Sequence, residues 1–218
     1  MEININKVKL SGRIVAPVEF SHEIKNEKFY KGFITVNRPS GTEDIIPFVI
    51  SQKLIPDGLA ECYITLNGEL RTYNKTVDEK RKLMVMMHVH SIVENRVELY
   101  ENEIELEGYV CKEPSFRITP TNKVLCDLML AVNRNFNKTN YVPVICWNKD
   151  AEFAKTLLAG TKLKVIGKVQ SREYIKNNQI HTVYEVSVNS GEIYTDALNA
   201  INGMTIEDFE PLEEVELW

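Results

Sequence analysis

Long apolar runs are missing from this chain. No stretch of about 18 apolar residues occurs, the least that a membrane-spanning helix needs. The opening MEININKVKL lacks the basic-then-apolar order of a secretory signal, so the expectation is a cytoplasmic protein without membrane association. Cysteines at metal or redox spacing are missing too. Cys62, Cys111, Cys126 and Cys146 contain no C-x-x-C, and three of them fall in runs that read as strands. They are read as small buried hydrophobes of a reducing compartment. His22, His88, His90 and His181 form no H-E-x-x-H or zinc spacing, and there is no P-loop or glycine-rich nucleotide fingerprint. His88 and His90 share a strand parity, but no Cys or carboxylate companion is evident, and a surface pair is the reading. The expectation is a protein that is not an enzyme, with no catalytic residue, metal, cofactor or small-molecule substrate.

Basic charge is absent from the last 23 residues. Residues 196–218 hold seven acids and no Lys or Arg, whereas residues 1–100 hold 14 basic and 13 acidic residues and residues 101–195 hold 12 and 11. The net charge of −5 is therefore a property of an acidic tail. The two bodies are near neutral, and what they attract depends on whether their cations share a face.

What the sequence does contain is a repeat at an offset of 96 residues. Val8-Lys-Leu-Ser-Gly12 matches Ile104-Glu-Leu-Glu-Gly108, Phe20 matches Phe116, Val36-Asn-Arg38 matches Val132-Asn-Arg134, and Lys53 matches Lys149. Farther on, Gly68 matches Gly167 at an offset of 99. Self-similarity of this length implies duplicated domains. In the second copy, apolar alternation marks strands at 104–111, 124–134, 140–147, 162–174 and 181–189, with turn residues between them. Residues 150–160 carry helical spacing and end on Gly160. Five strands with a helix between the third and fourth is the order of an OB fold. The predicted fold class is all-β, two tandem five-stranded Greek-key barrels: residues 1–98, residues 99–195, then the acidic tail 196–218. In the first copy the helix shrinks to a turn near residues 52–60.

Strand parity then selects a face. On 162–174, Leu163, Val165 and Val169 share one side, and Lys162, Lys164, Lys168, Arg172 and Tyr174 share the other. On 140–147, Val142, Val144 and Cys146 read as core, which turns Tyr141, Pro143, Ile145 and Trp147 outward. Outward aromatics either cover the barrel or serve as stacking platforms.

At this point a family resemblance emerges. Ala131-Val-Asn-Arg134, Val142-Pro-Val-Ile-Cys-Trp-Asn-Lys149, Leu163-Lys-Val-Ile-Gly-Lys-Val-Gln-Ser-Arg-Glu-Tyr174 and Glu185-Val-Ser-Val188 resemble, in order and spacing, the bacterial single-stranded DNA-binding proteins. The resemblance implies sequence-indifferent binding of single-stranded DNA (ssDNA) in replication, recombination or repair. It implies a contact set of Arg117, Arg134, Tyr141, Trp147, Lys149, Arg172 and Tyr174, beside the stripe of Lys162, Lys164 and Lys168. The first copy resembles the family more faintly. It keeps Phe20, Arg38, Lys53, Arg71 and Tyr73, but Ile45 and Ser51 stand where the second copy has Tyr141 and Trp147. It is expected to bind more weakly or to serve assembly. The alternative function is a primosome-like adaptor whose domains mainly bind other proteins. The resemblance also implies that the acidic tip, with Phe209, Leu217 and Trp218, recruits replication or repair proteins, although Phe209, Leu212, Val215 and Trp218 could instead pack on the body as a helix. Family members with one such domain per chain commonly form tetramers, so this chain is expected to reach four domains as a homodimer, covering outward residues such as Ile45, Val49 and Ile145.

Overall fold

The computed structural model describes residues 4–195, apart from 15, 57, 58, 60–62, 78, 79, 96, 120, 177 and 178. The tail 196–218, with Phe209, Leu217 and Trp218, and Cys62 lie outside the described residues.

Alternating apolar and polar residues make strands of nearly everything described. The first half contains β1 (Asn6–Ile14), β2 (Glu19–Ile24), β3 (Glu27–Asn37), β4 (Glu43–Ser51), a single 3₁₀ turn at Gln52–Leu54, β5 (Tyr63–Val77) and β6 (Lys80–Glu94). The second contains β7 (Glu101–Val110), β8 (Ser115–Ile118), β9 (Val124–Arg134), β10 (Lys138–Trp147), α1 (Asn148–Ala154), β11 (Lys162–Lys176) and β12 (Gln179–Thr195). The expected strands are present, and each half has one more: a short strand, β2 or β8, paired with the strand after it.

The expected helix is shorter than residues 150–160. It stops at Ala154, and Gly160, at φ +87°, closes the loop that follows. Ala154 and Leu157 face the core, whereas Phe153 and Leu158 are exposed.

Strand order runs β2-β3-β4-β6-β5-β1 and then β7-β11-β12-β10-β9-β8, so the second half repeats the first in reverse across the seam. Each half also closes on itself. Arg13 and Ile14 pair with Thr35 and Ile34, and the repeat counterparts Tyr109 and Val110 pair with Ala131 and Leu130. Gly12 and Gly108 permit this closure: a Cβ on either would stand 1.9 Å from the Thr35 carbonyl oxygen or 2.6 Å from that of Ala131. That requirement explains why both copies keep glycine there.

β1 and β7 pair antiparallel, and Val8 lies opposite Ile104, its own repeat counterpart. One chain thus contains an internal two-fold-like junction. Asn6 accepts from the Leu70 N–H and donates to its carbonyl, and Asn102 does the same with Val169. Ser11 and Lys9 reach across to Glu101, whose carboxyl they hold below the usual range. One apolar cluster spans both halves, with Leu10, Ile34, Phe48, Leu66 and Met87 in the first and Leu106, Leu130, Val144, Leu163 and Val186 in the second. Each such side chain contributes about 1.5–3 kcal/mol on burial. Among the described residues no helix is long and apolar enough to cross a membrane.

Candidate nucleic-acid interface

Direct cross-strand partners share a face of a sheet. In the second half, Ser115, Asp127, Ile145, Ser187 and Lys168 are successive partners from β8 to β11. This row fixes one outer face. Trp147 lies two residues from Ile145 on it. Gln170, Arg172 and Tyr174 continue from Lys168, opposite Glu185, Val183 and His181.

Trp147 is half-buried, and its indole Nε1 donates to Ser187 Oγ at 3.2 Å. The ring therefore leans along the sheet toward β12. Ile145 was expected outside but is only 3% exposed, and Val49, its counterpart, is 4% exposed. β10 and β4 are flanked on both sides by strands, and in the second half the indole reaches over the ground beside Ile145. Ile45 does face out, at 46% exposure.

The expected lysine stripe divides at an irregularity between Val165 and Gly167. Lys162 pairs with Glu107 at 3.1 Å and Lys164 with Glu105 at 2.7 Å, both carboxylates on β7. Those two cations are tied to β7, within the second half. Lys168 makes no ion pair among the described residues and stays on the β12 side. Arg172 lies 3.4 Å from Glu185, a loose contact, and Tyr174 stacks on His181 with ring centroids 5.3 Å apart. Lys149 is exposed on α1, and Arg117 pairs with Asp127 at 2.9 Å.

Arg134 sits at the end of β9, beside the first half. Its Nε–H is buried and donates to no acceptor among the described residues, and burial together with the Arg71 charge lowers its pKa. Its counterpart Arg38 is different. Arg38 forms a two-pronged pair with Asp44, at 2.7 and 2.6 Å, and donates to the Ser171 carbonyl at 3.0 Å. Asp44 also accepts from the Ser171 N–H and hydroxyl across the seam. In the second copy Asn140 replaces Asp44. It accepts from the Thr72 N–H across the mirrored contact, while Thr72 Oγ1 accepts from the Tyr141 N–H. A neutral amide cannot neutralise Arg134. One acid-to-amide difference therefore ties Arg38 to a buried carboxylate and leaves Arg134 without that partner, near only Glu69, which Arg71 already holds.

The other first-copy candidates are similarly occupied. Lys53 pairs with Glu27 at 3.1 Å and Arg71 with Glu69 at 2.6 Å. Phe20 is 56% exposed and meets Tyr30 edge-on, and Tyr73 is 46% exposed. On the row that corresponds to Ile145, Ser187 and Lys168, the first copy has Val49, His88 and Glu69. The sequence around His88 and His90 shows no carboxylate companion. Glu69 is that carboxylate, placed opposite His88 by the β5–β6 register. Burial, reinforced by Arg71, pulls the His88 imidazolium down to about 4.

One exposed aromatic escaped the sequence reading. Phe136 tips the β9–β10 hairpin, 93% exposed and at φ +64°, in the left-handed region that bulky residues rarely occupy. The sequence signal is an aromatic between Asn135 and Asn137, in the turn residues that separate two strands.

Three cysteines, Cys111, Cys126 and Cys146, are free. Burial pushes their thiols up, to about 11, 11 and 12, which removes the thiolate that nucleophilic chemistry needs.

The described chain is thus all-β, and comparison with solved structures agrees. The crystal structure of the wild-type single-stranded DNA binding protein from Thermus aquaticus matches with a TM-score of 0.73, covering 90% of this chain and 95% of that one. The identity is 20%, so that likeness is one of fold. A sequence profile of the single-strand binding protein family matches residues 101–194. Single-stranded DNA-binding protein 2 of Listeria monocytogenes is 31% identical over 117 residues, covering 50% of this chain and 73% of the relative. The single-stranded DNA-binding proteins of Streptococcus mutans and Enterococcus faecalis are 33% and 35% identical over 94 residues, 40% of this chain. The chain spans 57% and 50% of their lengths. This chain belongs to the single-strand binding protein family.

Proposed function

We propose that the chain binds ssDNA without sequence preference, on the outer face of its second half. The supporting observation is the row of partners from β8 to β11. It gathers Trp147, Tyr174, Arg172 and Lys168, which makes no ion pair among the described residues; Phe136 tips the β9–β10 hairpin, and Arg134, at the base of that hairpin, lies toward Arg71 and Glu69 of the first half. Rings stack on any base, at about 1–3 kcal/mol per base, while the cations follow the phosphates. In this reading residues 1–98 and 99–195 are two OB-fold domains, and Tyr141, Lys149 and Arg117 extend the DNA path. Lys162 and Lys164 contribute through the general potential rather than by direct contact. Two chains associate, bringing four domains together, and the acidic tail recruits replication or repair proteins. No catalytic step is assigned.

A second reading applies to the first copy. Ile45 and Ser51 stand where the second copy has Tyr141 and Trp147, and Glu69 stands where it has Lys168, which favours an adaptor or assembly role for that half.

The test is a fluorescence titration with oligo-dT across salt, in a Trp218→Phe background that isolates Trp147. Quenching and a log–log salt slope of about −0.7 per phosphate neutralised are the expected results. A slope near zero, or binding confined to one base sequence, contradicts the proposal.

A further inference from the structure

We propose that Glu69, His88 and His90 form a binding site for a divalent transition-metal ion of the zinc class on the outer face of the first half. The inference does not depend on DNA binding. The three residues come from two neighbouring strands. Glu69 on β5 lies directly opposite His88 on β6, and His90, two residues on, shares their face. One ligand atom from each lies within 4.8 Å of the other two, and His90 Nε2 is 4.0 Å from Glu69 Oε1.

Zinc holds nitrogen and oxygen ligands at about 2.0–2.2 Å in tetrahedral array, so ligand atoms around one ion stand about 3.4 Å apart. The set closes around an ion by rotation of the long Glu69 side chain, which Arg71 holds at one oxygen, and of the exposed His90 ring. His88 is held more firmly. Its ring lies against Phe29, centroids 5.9 Å apart, and Phe29 is itself stacked on His22. His88 Nδ1 is buried without a hydrogen-bond partner among the described residues. A buried polar atom with no partner is costly and calls for an explanation. Metal coordination by the imidazole, with the other ring nitrogen turned to a neighbour, is one. Two imidazoles and one carboxylate suit zinc, cobalt or nickel, whereas magnesium and calcium favour oxygen alone. Three protein ligands leave a fourth position open.

Other charges bear on the site. Arg71 Nε holds Glu69 Oε1 at 2.6 Å, and Arg134 approaches from the second half. Arg71 orients the carboxylate as an outer partner, but its charge opposes the cation. Affinity is therefore expected in the micromolar range, and removing Arg71 should raise it.

The experiment uses the untagged full chain, stripped with chelator and without nucleic acid. Zn²⁺ is titrated by calorimetry, and Co²⁺ by its visible d–d absorption. The expected result is one ion per chain, with a Co²⁺ spectrum of nitrogen and oxygen ligation. His90→Gln and Glu69→Gln should each weaken binding by about tenfold or more. Arg71→Gln should tighten it, and His22→Gln and His181→Gln should leave it unchanged. His90 is exposed, so circular dichroism of His90→Gln is expected to match the parent. Weak binding by the acidic tail would not respond to the histidine variants. No ion bound at about 100 μM, or binding that survives both His88→Gln and His90→Gln, overturns the site. Because no DNA is present, neither result bears on the oligo-dT titration.

Discussion

The two halves share strand order, closure glycines and seam contacts, yet their outer faces carry opposite chemistry. At equivalent points the second half has Lys168, Ser187 and Trp147, and the first has Glu69, His88 and Ser51. At the hairpins, Arg38 is clamped by Asp44, which is fully buried, whereas the copy that carries Arg134 has the amide Asn140 at the equivalent position. Both copies keep the closure glycines and the asparagines Asn6 and Asn102 that bond to β5 and β11. The outward positions are free to diverge, because an outward side chain can change with little effect on the core.

Substitutions at equivalent positions should therefore have unequal consequences. The largest effect is expected on stability. Arg38→Gln leaves the Asp44 carboxylate buried without its cation and should cost about 3 kcal/mol. Urea denaturation would show it as a lower midpoint with an unchanged slope. Arg134→Gln, at the matching position, should leave the midpoint nearly unmoved. Equal losses from the two would mean that the Asp44–Asn140 difference does not govern the arginines.

Trp147→Ala should weaken oligo-dT binding by about 1–3 kcal/mol with the fold intact. Ser51→Trp should not bring a comparable gain, because the flanking groups of the first face are acidic and imidazole. If Trp147→Ala unfolds the protein while binding per folded molecule is unchanged, the indole belongs to the barrel wall alone.

Phe136→Ser should weaken binding within the same range or less, and leave stability equal or higher, since the ring buries almost nothing and sits in an unfavourable backbone region. Unaltered binding would remove the hairpin tip from the DNA path.

The smallest effect concerns the salt slope. Arg134→Gln removes one phosphate partner and should reduce the slope by about 0.7. Lys53→Gln should leave it unchanged, because Glu27 already neutralises that lysine.

These contrasts show what a single sequence exposes. The repeat, the strands and the inward residues of β11 were legible because period-two alternation is local. The loss of Lys162 and Lys164 to β7 was not, because Glu105 and Glu107 lie far away in sequence and meet them only when β7 pairs with β11. Asp44 reaches Ser171 across 127 residues, a contact no local pattern announces. Glu69 stands beside His88 through a cross-strand register that depends on an irregularity between Asn67 and Gly68. Ile145 was misread because parity says which way a side chain leaves the strand, and burial depends also on what its neighbours lay over it.

The comparison is tested most directly by exchanging the charge at its centre and measuring oligo-dT affinity by fluorescence, in the Trp218→Phe background at fixed salt. Lys168→Glu gives the second face the residue of the first, and Glu69→Lys does the reverse. Lys168→Glu is expected to weaken binding by about tenfold, roughly 1.4 kcal/mol, and to flatten the salt dependence. Glu69→Lys is expected to change it by less than about threefold, since the first face lacks an outward tryptophan. Equal changes in affinity from the two exchanges, or no change from Lys168→Glu, would contradict the placement of ssDNA on the second half.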